Sequence, residues 1–245
     1  MITLRVANQR HHDRRRKRDV FCTFYPGNDA ETLADGFEAL EFLDEDRLPP
    51  GARIPRLRDR DAEIVTYVHE GALTHEDSMG GSGVVQTGEF QRRATGCGIS
   101  HRERNASRTN SAHVFQIWLR PSEVGFNPGQ EQKRFSAAER RGGLCIVASP
   151  DARRGSLRVH QDALLYSAML DRGQHVVHEL SEGRRAWLHL VQGEVTLGDL
   201  VLRTGDGAGV TAERAVSLTA QEDAEILLVD LGRTAPRSRE NGRAP

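Results

Sequence analysis

His101 and Glu103 stand two residues apart in the segment Thr95-Gly-Cys-Gly-Ile-Ser-His-Arg-Glu-Arg-Asn105. On a β-strand, residues i and i+2 share a face, so an imidazole and a carboxylate project together here. That pairing suits two ligands of one divalent metal ion. Cys97 follows the same period, and a thiolate is a soft metal donor. Its flanking glycines, Gly96 and Gly98, can break the alternation, and a small buried thiol is the commoner role for such a residue.

The other potential chemistry is scattered. His69, His75, His113, His160, His175, His178 and His189 occur singly on apparent strands or turns, which reads as surface or hydrogen-bonded histidines. Gly80-Gly-Ser-Gly83 lacks the Gly-Lys-Ser/Thr ending and following helix of a phosphate loop, so it reads as a hairpin turn. The basic run His11-His-Asp-Arg-Arg-Arg-Lys-Arg-Asp19 has no aromatic residue on which bases could stack, and it reads as a solvated loop.

The elements that must position these residues are strands. Short β-branched or alternating apolar runs recur, among them Glu63-Ile-Val-Thr-Tyr-Val-His69, His113-Val-Phe-Gln-Ile-Trp-Leu119, Ala163-Leu-Leu-Tyr-Ser-Ala-Met-Leu170 and Ala224-Glu-Ile-Leu-Leu-Val-Asp230. Their length and spacing indicate an all-β sandwich or barrel, not βαβ units. A weak internal repeat points the same way. Tyr67-Val-His-Glu-Gly-Ala-Leu-Thr74 and Leu190-Val-Gln-Gly-Glu-Val-Thr196 share one plan, in which Gly71 and Gly193 supply the positive φ of a hairpin turn. Two copies of one β-barrel joined near residues 121–145 account for the pattern, with a short helix over Ser136–Arg141 in the joint. The expected division is an N-terminal barrel over 1–130, a C-terminal barrel over 131–232, and a disordered polar tail over 233–245.

Composition narrows the function. A chain of 245 residues with net charge −1 has no field for a polyanion, so a nucleic-acid partner is not expected. No run of 18 apolar residues occurs, and a membrane partner is not expected either. Three widely spaced cysteines, Cys22, Cys97 and Cys145, suit reduced thiols in a cytoplasm.

Several segments together resemble the pirins, and particularly their bacterial, quercetin 2,3-dioxygenase-like branch. They are Val65-Thr-Tyr-Val-His-Glu-Gly71, His75-Glu-Asp-Ser-Met-Gly80, Gly88-Glu-Phe-Gln91, Gly96-Cys-Gly-Ile-Ser-His-Arg-Glu103 and Gln116-Ile-Trp-Leu119, followed by Glu131-Gln-Lys-Arg-Phe135 and Ser149-Pro-Asp-Ala-Arg-Arg-Gly-Ser-Leu-Arg-Val-His-Gln161. The resemblance implies an all-β bicupin, two cupin jelly-roll barrels with one metal in the N-terminal barrel and none in the C-terminal one. It implies iron or another divalent ion held by three His and one Glu. Some members oxidise flavonols, and an animal member is a nuclear transcriptional co-regulator.

Carried over by position, His101 and Glu103 match the family's third His and its Glu. Leu57 and Asp59 fall where its first two His belong, and Gly51 keeps the preceding motif glycine. Leu57 has no lone pair to donate. The set that remains is Asp59, His101 and Glu103, which is harder and more anionic than the family's and suits Mn²⁺, Mg²⁺ or Zn²⁺ better than a redox-tuned iron. Arg56, Arg58 and Arg60 crowd the same segment, and one of them turned inward would pair with Glu103 or Asp59 in place of a metal.

The expected function is therefore a pirin-like bicupin with a degenerate metal site and little or no dioxygenase activity. It would carry no cofactor, or a weakly bound divalent ion such as Fe, Mn, Zn or Ni. It would act by binding a small aromatic, flavonoid-like molecule or a regulatory protein. The alternative is an active quercetin 2,3-dioxygenase-like enzyme that uses Asp59, His101 and Glu103.

Overall fold

The protein is seen in a computed structural model that describes residues 1–15, 18–25, 33–54, 58–59, 62–78, 80–95, 99–123 and 125–233. Four sheets account for nearly all of its regular structure. In the N-terminal half, a seven-stranded sheet runs in spatial order Gly129–Arg134, Glu89–Ala94, Glu63–Glu70, Ala112–Leu119, Leu40–Leu48, Arg18–Cys22 and His11–Arg15. It faces a smaller sheet of Arg53–Ile54, Ile99–Asn105, Ala72–Asp77 and Ser82–Gln86, with Arg58–Asp59 also paired to Ile99–Asn105.

The C-terminal half repeats the plan. Its seven-stranded sheet is ordered Ile2–Arg5, Gly207–Val210, Arg185–Gln192, Ala224–Leu231, Ala163–Leu170, Cys145–Ser149 and Leu157–Arg158. The facing sheet is His175–Glu179, Ala215–Ala220, Glu194–Leu197 and Leu200–Arg203. The halves exchange edge strands. Ile2–Arg5, at the start of the chain, pairs with Gly207–Val210, whereas Gly129–Arg134 pairs with Glu89–Ala94.

The two large sheets pack against each other, so their central strands are buried on both faces and read as near-continuous apolar runs. Period-two alternation sorts their side chains. Along Ala112–Leu119, Val114 faces the N-terminal barrel core with Leu48, Val68, Leu73 and Val85, while Phe115, Ile117 and Leu119 enter the core between the barrels. Along Ala224–Leu231, Ile226 and Leu228 fill the C-terminal barrel, and Leu227, Val229 and Leu231 join the shared core. Trp187 anchors that shared core, with Phe24 edge-on to its ring at 4.8 Å.

The hairpin glycines have φ of 78° at Gly71 and 92° at Gly193, and a Cβ on Gly193 would meet the Asp223 carbonyl oxygen at 2.3 Å. The joint contains a short helix, Ala137–Arg140, closed by a capping box between Ser136 and Glu139. The basic run differs from its expected loop. His11–Arg15 and Arg18–Cys22 form an edge hairpin, in which His12 stacks on Phe21 at 4.4 Å and His11 on Tyr25 at 3.7 Å. Charge on an edge strand discourages further strand pairing, which gives those basic residues a structural role. Among the described residues, no helix is long and apolar enough to cross a membrane.

Candidate functional site

His101 and Glu103 lie on strand Ile99–Asn105, and both are buried in the N-terminal barrel, at 4% and 2% exposure. Register sets their neighbours, because His101 stands opposite Asp77 and Glu103 opposite His75. His75 is itself buried, beside Gly83 of the next strand. A Cβ on Gly83 would come within 2.7 Å of His75 Nε2, so the glycine is what lets the ring lie there.

The opposing sheet contributes a polar row. Gln91, Thr66, Gln116 and Asp44 are cross-strand partners in succession, so all project from one face. Arg93 follows Gln91 by two residues and shares that face. The result is a continuous hydrogen-bonded chain across the barrel. Glu103 Oε1 accepts from Arg93 Nη1 at 2.8 Å, and Glu103 Oε2 accepts from Gln116 Nε2 at 2.7 Å. Arg93 Nη2 donates to Gln91 Oε1 at 2.9 Å, and Gln91 Nε2 lies 2.8 Å from His75 Nε2. All five side chains are buried.

Electrostatics follow from this packing. Burial alone would raise the Glu103 carboxyl, but the Arg93 guanidinium, His101 and the Gln116 hydrogen bond outweigh it and hold the group below its usual range. Burial, reinforced by Arg93, pushes His101 down to about 4, and the same two causes lower His75. Both imidazoles are therefore neutral at pH 7. The Nδ1 atoms of His75 and His101 have no hydrogen-bond partner among the described residues. Deeper in the barrel, burial and the neighbouring Asp46 raise Asp44 to about 7, and Asp46 pairs with Arg18.

Of the residues singled out in the sequence, Leu57, Arg56, Arg60 and Cys97 lie outside the described residues, as do the side chains of Arg58 and Asp59. The backbone puts Asp59 in register with Ile99, two residues before His101. Among the described residues, an arginine that meets Glu103 is Arg93, on strand Glu89–Ala94. Among the described residues, no three His, Cys, Asp or Glu side chains are grouped so as to hold a metal ion.

Three of the histidines read as isolated make simple polar contacts, His175 with Ser217 as well as Thr219. His160 bonds Glu63 at 2.8 Å, His178 bonds Asp230 at 2.8 Å, and His175 bonds Thr219 at 2.9 Å. His189 differs from that expectation, because it is fully buried and both of its ring nitrogens lack partners among the described residues. His69 and His113 meet between the barrels. Sequence reasoning passed over His75, Gln91, Arg93 and Gln116 as site residues. The available signal was Gln91 and Arg93 at period two in a strand that pairs on one side with the apolar run Glu63–Glu70.

Two jelly-roll barrels in tandem, with an inward His-x-Glu pair in the first, define a bicupin. Comparison with known proteins places the chain further. Residues 3–119 match the family model described as Pirin, and residues 146–231 match that of the quercetinase C-terminal cupin domain. The chain is 42% identical over 231 residues to the quercetin 2,3-dioxygenase of Escherichia coli strain K12, covering 94% of this chain and 99% of that protein. It is 33% identical to a pirin-like protein of Caulobacter vibrioides, covering 86% and 88%. The crystal structure of bacterial pirin YhhW from Escherichia coli in complex with nickel(II) superposes with a TM-score of 0.89 at 40% identity, over 96% of this chain and 100% of that one. The chain belongs to the pirin family.

Proposed function

We propose that this protein is a pirin-type bicupin whose N-terminal barrel centre works without a resident metal, with little or no flavonol dioxygenase activity. The observation that carries the reading is the pair of hydrogen bonds on Glu103, from Arg93 at 2.8 Å and Gln116 at 2.7 Å. Both oxygens of the one carboxylate ligand are engaged, and a fixed guanidinium charge stands where it would repel a dication. Leu57 has removed one donor outright. The remaining donors do not fit the family's ion.

The Nδ1 atoms of His75 and His101, without partners among the described residues, still give the centre capacity for polar groups. A small hydroxylated aromatic, flavonoid-like molecule fits that capacity, and a regulatory protein is the other class of partner. The free thiols of Cys22 and Cys145 accord with a cytoplasmic setting.

A second reading, an active quercetin 2,3-dioxygenase-like enzyme, draws on the 42% identity to the Escherichia coli enzyme and on the neutrality of His101, which leaves its imidazole free to ligate. Asp59, His101 and Glu103 would then hold the ion, once Arg93 had moved off the carboxylate. Oxygen consumption with quercetin, on tag-free protein incubated with Fe²⁺, Mn²⁺ or Ni²⁺, separates the two. The first reading expects no rate above that of free metal. Turnover on the order of 1 s⁻¹ or faster, within the usual enzyme range, would establish the second.

A further inference from the structure

Between the barrels, strand register gathers a guanidinium and two imidazoles at one cleft. Arg47, His113 and Glu70 are cross-strand partners in succession, so their side chains lie next to one another on one face. Val114 stands opposite Val68 and His113 opposite Glu70, which leaves His69 as an extra residue. Such a bulge sets two residues against one and re-aims their side chains, so His69 also comes to His113. The two imidazole rings are perpendicular with centroids 5.1 Å apart. Both rings line a cleft of about 470 Å³ together with Arg47, Glu70, Val191 and Gln192.

Buried carboxylates hold these groups from beneath. His69 Nδ1 is 3.3 Å from Glu225 Oε2, and His113 Nε2 is 2.9 Å from Glu45 Oε1. Arg47 donates to that same Glu45 oxygen, from Nε at 3.2 Å and Nη2 at 3.1 Å, so Arg47 and His113 converge on one atom. Burial would raise both carboxyls. His69, Arg140 and Tyr67 outweigh it at Glu225, and His113 and Arg10 at Glu45, which keeps both below their usual range. Each imidazole thus commits one nitrogen to an ionised carboxylate, and His69 Nε2 and His113 Nδ1 remain for other partners. A guanidinium has five N–H groups, so Arg47, whose side chain is 56% exposed, also keeps donors beyond its two bonds.

One carboxylate already leans toward this set. Glu70 Oε1 is 3.8 Å from His69 Nε2, within ion-pair range but too long for a hydrogen bond. Its side chain is 71% exposed, so little holds it there. We infer that this cleft binds a small organic carboxylate through Arg47, His69 and His113, with Glu70 as the built-in competitor for the same place. Arg47 offers the planar fork that matches a carboxylate. An imidazole with a carboxylate at each nitrogen donates to both as the imidazolium, and a ligand carboxylate at Nε2 would meet His69 in that form. The C-terminal barrel closes the cleft through a matching bulge, in which Leu190 stands opposite Ile226 and Gln192 opposite Glu225, with Val191 left over. Val191 gives the ligand's carbon skeleton an apolar wall, and Gln192 adds an amide. Glu70 swings into solvent as the ligand enters.

The test is isothermal titration calorimetry of the tag-free full chain with acetate, succinate, benzoate and inorganic phosphate, with Arg47→Gln, His69→Gln, Glu70→Gln and His101→Ala alongside. At least one carboxylate should bind the wild type at one per chain, with a Kd below about 1 mM. Arg47→Gln and His69→Gln should each weaken that binding about 10-fold or more, the loss of a charge-assisted hydrogen bond. Glu70→Gln should tighten it about 2-fold to 5-fold, the worth of one exposed ion pair. His101→Ala should leave it unchanged. Thermal melts check that each variant folds, and Arg47→Met and His69→Asn replace any that does not. Wild-type Kd values all above that limit, a Glu70→Gln protein that binds no tighter, or an affinity untouched by Arg47→Gln and His69→Gln overturns the inference and leaves the proposed function standing. Phosphate binding with the same residue dependence and no carboxylate binding overturns the ligand class. Binding lost with His101→Ala but kept in Arg47→Gln places the ligand in the N-terminal barrel and overturns the inference as well.

Discussion

Arg93 Nη1 lies 2.8 Å from Glu103 Oε1, with the two side chains 5% and 1% exposed. A buried pair of this kind adds little net stability, because the Coulombic gain repays desolvation of both groups. Its consequence is local: Glu103 is kept ionised inside the barrel, with a hydrogen bond to each of its oxygens.

Breaking the pair from one side strands a buried charge. Arg93→Met should therefore cost on the order of 3–5 kcal/mol in urea unfolding. Arg93→Met combined with Glu103→Gln should recover most of that loss. Strict additivity of the two single changes would show that the side chains do not interact energetically.

His189 supplies a pH dependence of known sign. Complete burial, reinforced by Arg10, pushes its imidazole down to about 3 from the ordinary 6.5. Between those values the unfolded chain binds a proton that the folded chain refuses, so stability falls as pH falls. Relative to His189→Leu, the wild type should lose roughly 3 kcal/mol between pH 6.5 and pH 4. At pH 7 the variant should be at least as stable, since it removes two buried nitrogens that lack partners among the described residues. Parallel stability curves for the two proteins would contradict the assignment.

The barrels were legible in the sequence because alternation and glycine turns are local signals. Gly71 and Gly193 occupy the positive-φ positions that their place in the repeat required. His101 and Glu103 were legible for the same reason, since period two fixes a shared face. Arg93 was not. In Glu89-Phe-Gln-Arg-Arg-Ala94 two adjacent arginines point to opposite faces, Arg92 to Glu131 and Arg93 to Glu103, and only the sheet across the barrel decides which one enters the site. The contacts of His69 were hidden similarly, because they depend on a one-residue register shift that no local pattern announces. The pairing of Ile2–Arg5 with Gly207–Val210 spans nearly the whole chain and rests on tertiary closure alone.

The central claim is that Arg93 and Gln116, not a metal ion, satisfy Glu103. Its most direct test is metal content by mass spectrometry on tag-free protein. That protein should hold no stoichiometric metal. It should still load poorly when Leu57→His and Asp59→His are added, and fill with one ion per chain once Arg93→Met joins them. One tightly held ion per chain with Leu57, Asp59 and Arg93 all in place would contradict the account.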